Sequence, residues 1–289
     1  MSAPAAASPA LAAAPRAARA RLRTIYRWEL RKLRSQKRTY LGLGIAVIMP
    51  LIFVVALSLR AGQPDAVAFG RYVRDSGLAI PLVMLVFGSI WLFPLVTALV
   101  AGDIFASEDH NGTLKTILTR SADRGQIFAA KALATATYTA AALALMGTVA
   151  IVAGTLKSGF NPLTTLSGST VSAGTALGLV AASLAVYLVP MLTVACIGLL
   201  LSTITRNSAA AVVGTLMVAL ILQLITILPG LEGLRPYLLP SQFDAWQGLL
   251  REPTDWAPIV RAAWVCALYA IPCLGAAFLV FLRRDVAGG

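Results

Sequence analysis

Charge is scarcest in this sequence where an ion-coupled transporter or an intramembrane enzyme would need it. Of 289 residues only 12% are Asp, Glu, Lys or Arg, about half of the roughly 25% usual in a soluble domain. Six runs, 40–59, 76–102, 132–156, 171–205, 208–231 and 262–282, contain no charged residue and no histidine. Proton- and ion-driven carriers rely on ionisable groups inside the bilayer, so that class is excluded. The single histidine, His110, leaves no ligand set for an intramembrane metalloprotease. No G-x-x-x-x-G-K-[ST] loop is present to cradle nucleotide phosphates, so any active transport must draw its energy from another polypeptide. The three cysteines, Cys196, Cys266 and Cys273, fall inside the apolar runs. An odd number in such places excludes a disulfide framework and reads as small apolar side chains.

What is present is hydrocarbon. Hydrophobic residues make up 58% of the chain, and each run reaches the ~20 residues a helix needs to cross a ~30 Å hydrocarbon layer. Their continuity favours helices over barrel strands, which alternate in ~10-residue segments. The expected fold is therefore an all-α polytopic membrane protein with spans near 40–59, 77–101, 128–156, 171–202, 208–228 and 261–282. An Ala/Pro-rich tail, 1–20, precedes them and is too interrupted by proline and arginine to act as a signal peptide. An even number of spans puts both termini on one side. The polar segments on that side carry 17 Lys and Arg against 7 in the remaining loops, which assigns both termini, including the tail 285–289, to the cytoplasm of a multi-pass cell-membrane protein. The net charge of +12 then reports topology and contact with anionic lipid, with no nucleic-acid partner implied.

Residues 21–39 form the first organised element. At 100° per residue Arg23, Arg27, Arg31, Arg34 and Arg38 fall in one arc of about 80°, with Leu22, Ile25, Tyr26, Leu30 and Leu33 opposite. This is an interfacial amphipathic helix. Glu29 sits inside the apolar arc, where it either pairs with Lys32 and its neighbours one turn on or grips a partner. Pro50, Pro81, Pro94, Pro190 and Pro272 place kinks in the spans. Gly174, Gly178 and Ala182, at four-residue spacing, allow close helix approach. Before the last span, Ser241 with Asp244 makes a capping-box-like start to an outer helix. Phe243, Trp246, Leu249 and Leu250 share one face of it, as in a short amphipathic helix lying in or dipping into the outer leaflet.

The most punctuated polar interruption is 102–131, GDIFASEDHNGTLKTILTRSADRGQIFAAK. Asn111-Gly112 stops a helix, and Ser121 caps the next one with Asp123 in its first turn. Lys131 opens the third span, its ammonium reaching back to the interface. Glu108, Asp109 and His110 are the only clustered candidates for chemistry, yet adjacent helical residues point 100° apart, so no catalytic residue and no metal site is expected.

Glu108, Gly112-Thr113-Leu114-Lys115, Leu118, Arg124 and Lys131 resemble the cytoplasmic loop after the second span in ABC transporter permeases of the ABC-2 type. Residues 28–40, WELRKLRSQKRTY, resemble the N-terminal interfacial helix of the same family, and the likeness extends over about 21–284. It implies that residues 40–284 form a six-span permease domain which pairs with a second, identical or different, permease subunit. It further implies that each subunit docks a separate ATP-binding subunit holding ATP and Mg, this chain binding no cofactor itself. Glu108, Gly112, Thr113, Leu114, Lys115, Leu118 and Arg124 would form the docking surface, a coupling helix rather than a catalytic site. The family often has proline where this chain has Ser121. Thr135, Tyr138, Tyr187, Thr193 and Gln223 are candidates for an uncharged substrate pathway suited to hydrophobic or amphiphilic cargo. The competing reading is a polytopic scaffold without a transport cycle, in which close packing is the whole purpose.

Overall fold

In the computed structural model the described residues are 21–59, 68–110 and 123–283. They are overwhelmingly helical, and the expected polytopic α-helical architecture is what is found. The basic amphipathic helix α1 (Leu22–Ser35) leads, across an extended Gln36, into the first span α2 (Lys37–Leu59). The second span comes in two pieces, α3 (Ala79–Gly88) and α4 (Leu92–Ala101). A short helix α5 (Ala106–His110) follows, and beyond it the long α6 (Arg124–Ser158), α7 (Ala173–Thr205) and α8 (Ser208–Ile227). A four-residue helix α9 (Leu239–Gln242) precedes the last span α10 (Ala257–Leu282). Two-residue strands, Leu163–Thr164 and Thr170–Val171, close an antiparallel hairpin between α6 and α7.

The second span is broken rather than kinked. Its halves meet at 65° across Ser89–Trp91. Pro81 and Pro94 explain the difference from the sequence expectation. Each is the third residue of its own helix, where a missing N–H leaves no bond unmade, so Pro94 starts a helix instead of bending one. The pair still crosses the bundle. Gly77, just before α3, donates its N–H to Gly159 O (3.0 Å) at the far end of α6, whereas Gly102, just after α4, packs on Val212 near the start of α8. Both halves are buried almost all round: Ile80, Leu82, Val83, Leu85 and Ala98 expose no surface. This apolar run therefore forms the protein core, and the other spans shield it from lipid. Helices α2, α7 and α10 run unbroken through Pro50, Pro190 and Pro272.

One end of the bundle gathers α1, α5, the start of α6, the α7–α8 turn and the end of α10; it is called the basic end here. The segment 235–250 lies at the other. Its aromatic face turns into the protein rather than into lipid: Phe243, Trp246 and Leu250 are at most 3% exposed. Phe243 meets Tyr187 edge-on at 5.0 Å, Tyr187 meets Phe93 at 5.1 Å, and Trp246 lies against Phe69 at 6.0 Å. The face was legible as amphipathic, but its partner is the core of spans two and four. Nor does Ser241 cap it. Pro240 allows α9 to begin at Leu239, which leaves Ser241 inside the helix, and Asp244 instead accepts from Gln247 Nε2 at 3.1 Å.

Close helix approach also falls at other glycines than the expected stripe. Gly174 and Gly178 have nothing within 4 Å of an added Cβ. Contact is made where Gly198 meets Ala101, Gly147 meets Leu184, and Gly77 meets Gly154.

Candidate functional site

At the basic end four charges from three elements converge, three of them sealed from solvent and the fourth, Lys32, partly exposed. Helix α1 contributes Glu29 and Lys32, one turn apart; α5 contributes Glu108; α6 contributes Lys131. The buried face of α6 repeats at helical spacing, Ile127, Phe128, Lys131, Ala134, Thr135 and Tyr138, so Lys131 is aimed into the protein by the same periodicity that buries its apolar neighbours. Its side chain exposes no surface, and those of Glu29 and Glu108 expose 2% and 1%. Lys131 Nζ lies 3.1 Å from both carboxylate oxygens of Glu29 and 2.7 Å from Glu108 Oε1. It also donates to Ile104 O at 3.2 Å. Lys32 pairs with the same Glu108 oxygen, and its own ammonium stands 5.8 Å from the Trp28 ring.

The sequence lets the Lys131 ammonium reach back to the interface and leaves Glu29 either to pair within its own helix or to grip a partner; the ammonium is instead buried, and Glu29 pairs outside its helix. Glu29 reaches a residue 102 positions away, because α1 lies along the start of α6 and turns its apolar arc, Glu29 included, against it. The wall is aromatic: Phe105 stacks on Phe128 at 5.5 Å, meets Phe281 at 5.2 Å, and lies 5.6 Å beneath the Lys131 ammonium. Two ammoniums and two carboxylates make the cluster neutral as a whole. That balance is what permits charge in a site of this dryness, since an unpaired ion would carry several kcal/mol of desolvation penalty.

A second cluster adjoins it. Arg38 lies in the first turn of α2 rather than in α1, and its guanidinium pairs with Asp103 and bonds to Ser208, which itself bonds to Asp103. Ser202 Oγ accepts from the N–H groups of Phe105 (3.1 Å) and Ala106 (3.0 Å), satisfying donors that open α5. Asp103, Lys32, Ser202 and Ser208 were missed as site residues. The signal available for Asp103 and Lys131 was position, each being a lone charge flanking an apolar run.

Of the predicted docking residues, Glu108 and Arg124 are described. Gly112, Thr113, Leu114, Lys115 and Leu118 lie outside the described residues, as does Ser121. Asp123, expected in the first turn of the following helix, is itself the N-cap of α6 and accepts from Gly125 N–H at 3.2 Å. Arg124 donates to Leu282 O at the end of α10, at 2.8 Å. Arg23, Arg27, Arg31 and Arg34 form the exposed face of α1. The pathway candidates are spread over three spans, Thr135 and Tyr138 on α6, Tyr187 and Thr193 on α7, and Gln223 on α8. Thr135 and Thr193 bond back to the carbonyls of Lys131 and Val189 in their own helices. Tyr187 donates to Leu85 O at 3.0 Å in the core, and Gln223 is half-buried on α8. Tyr138 lies over Gly42, where an added Cβ would meet its hydroxyl. Among the described residues no three His, Cys, Asp or Glu side chains converge as metal ligands.

Among the described residues, five single helices and one bent pair, all long and apolar enough to cross a membrane, define a multi-pass α-helical membrane protein. The chain belongs to the ABC-2 family of transporter proteins, whose family model matches residues 25–226. It is thus a membrane permease of an ABC transporter, a family that is generally non-catalytic and works with an ATP-binding subunit. No curated protein matches it.

Proposed function

We propose that this permease is the membrane half of an ATP-driven exporter, and that residues 111–122 take the push of a separate ATP-binding subunit carrying ATP and Mg. The observation that carries this reading is the clamping of both flanks of that segment. On one side Glu108 is held by Lys131 and Lys32; on the other Asp123 caps α6 and Arg124 ties its start to α10. A force applied between these flanks would reach α1, α6 and α10 together. The basic end would face the cytoplasm, as the excess of Lys and Arg there requires, and a second permease subunit would complete the pathway for a hydrophobic or amphiphilic cargo. Gly112, Thr113, Leu114, Lys115 and Leu118 would form the surface that meets the ATPase.

The test is co-purification with a candidate ATP-binding subunit co-expressed with this chain. Gly112→Pro and Leu114→Asp should each lower the recovered complex and its permease-stimulated ATP hydrolysis about tenfold, roughly the loss of one well-made contact. Undiminished complex and undiminished stimulation would reject the docking role and leave the scaffold reading in its place.

A further inference from the structure

At the end of the bundle opposite the ion cluster, 235–250 and the start of α10 enclose a cleft of about 220 Å³. Ser241, Asp244, Gln247, Arg251, Pro258 and Arg261 are among its walls. Its charges are arranged unusually. Arg251 is engaged by Asp255 at 3.7 Å, but neither Arg261 nor Asp244 makes an ion pair among the described residues. They line one cleft, carry opposite charge and yet stay farther apart than the contact distance of an ion pair. A ligand that fits must therefore carry both an anion and a cation, a few bonds apart. We propose that this cleft binds a zwitterionic phospholipid headgroup of the phosphoethanolamine type, with the phosphate at Arg261 and the ammonium at Asp244.

Three further observations select a lipid over a soluble zwitterion. First, the 21 residues from Ala262 to Leu282 are uncharged, and at 1.5 Å per residue they cover the ~30 Å hydrocarbon layer, which sets Arg261 at the depth of the headgroups. Second, Trp256, Trp264 and Tyr237, each within three residues of a cleft-lining residue, stand exposed (61%, 47% and 51%), as aromatic side chains do at the membrane–water boundary, and Tyr237 and Trp264 touch, with ring centroids 5.8 Å apart. Third, Val260, Trp264, Leu268 and Ile271 recur at helical spacing along α10 and are 62%, 47%, 65% and 70% exposed. They form an apolar track running down from Arg261, on which an acyl chain can lie. The cleft itself is smaller than the ~300–1,000 Å³ typical of sites that engulf a whole drug-sized ligand. It holds a headgroup and leaves the chains outside. Guanidinium is well suited to phosphate, offering paired donors at full charge. This site is independent of the ATPase-docking reading, and each can fail without the other.

The experiment titrates the detergent-purified full chain with dihexanoyl phosphatidylethanolamine, dihexanoyl phosphatidylglycerol and free phosphoethanolamine, following tryptophan fluorescence and the thermal unfolding midpoint. The phosphatidylethanolamine should change the fluorescence saturably and raise the midpoint by mass action. Arg261→Ala and Asp244→Asn should each weaken its binding about tenfold. Lys157→Ala, an exposed position at the same end of the bundle, should leave the binding curve in place. Both partners are surface side chains, so a folding defect in one variant leaves the other as the test. Undiminished binding by both variants would overturn the proposal. So would phosphatidylglycerol binding as tightly as phosphatidylethanolamine, which would mean a simple anion site, or free phosphoethanolamine binding as tightly as the lipid, which would mean a soluble ligand.

Discussion

Lys131→Met is expected to destabilise the permease by about 3–5 kcal/mol, the cost of stripping one partner from a buried ion pair. The asymmetry of the cluster makes this the worst of its single neutralisations. Glu29 and Glu108 are both sealed, at 2% and 1% side-chain exposure, so losing Lys131 leaves one uncompensated negative charge with no route to water. Glu29→Gln or Glu108→Gln leaves an excess positive charge instead. The Lys32 side chain is 28% exposed and can swing outward to solvent, which should hold each cost to about 1–3 kcal/mol. The double variant Lys131→Met/Glu29→Gln restores neutrality and should recover much of the loss, giving a double-mutant cycle with a coupling energy of ~2 kcal/mol. Unfolding in mixed detergent–SDS micelles measures all four proteins. Additive losses, with no recovery in the double variant, would mean that the four charges do not act as a unit.

The same cluster marks how far the sequence could be read. Six charge-free runs reveal six crossings because hydrocarbon thickness dictates a minimum length and a backbone in lipid must satisfy its own hydrogen bonds. Glu29 was legible as misplaced, since a carboxylate in the apolar arc of an amphipathic helix needs an explanation. Its partner was not legible, because helical periodicity carries no information about a residue 102 positions away. Pro94 had two local meanings, a kink or a helix start, and only the packing of Phe93 and Val96 into the core selects between them. The face of Phe243, Trp246 and Leu250 has the same composition whether it meets lipid or protein. For the docking loop the flanks are described, with Asp123 taking the cap expected of Ser121, whereas Gly112 to Leu118 rest on the family resemblance.

Gly154→Val should be the most damaging change at the opposite end, and the reason is backbone rather than side chain. A Cβ on Gly154 would lie 2.4 Å from Gly77 O and 3.2 Å from Ile80 Cβ; one on Gly77 would lie 2.3 Å from the carbonyl of Gly154. These are backbones in direct contact, helix α6 against the turn that leads into α3, with no flexible side chain available to give way. Four hydrogen bonds depend on that approach: Ser158 Oγ to Val73 O (2.7 Å), Gly77 N–H to Gly159 O (3.0 Å), Ser76 Oγ to Asn161 O (2.9 Å) and Asn161 Nδ2 to Asp75 O (2.9 Å). At about 1 kcal/mol net for each bond, separating the two segments should cost about 3–4 kcal/mol in Gly154→Val, and about 2–3 kcal/mol in Gly154→Ala or Gly77→Ala, the upper range for overpacking. Because either methyl opens the same contact, Gly77→Ala/Gly154→Ala should cost little more than one of the single changes, a departure from additivity of ~2 kcal/mol. Gly178→Ala is the contrast. It lies inside α7 with nothing within 4 Å of the new Cβ, so the gain in helix propensity, up to ~1 kcal/mol, should leave stability unchanged or raised. Unfolding midpoints for these variants would separate glycine kept for close approach from glycine that only fits a spacing pattern. A destabilised Gly178→Ala beside an unaffected Gly154→Ala would reverse the assignment.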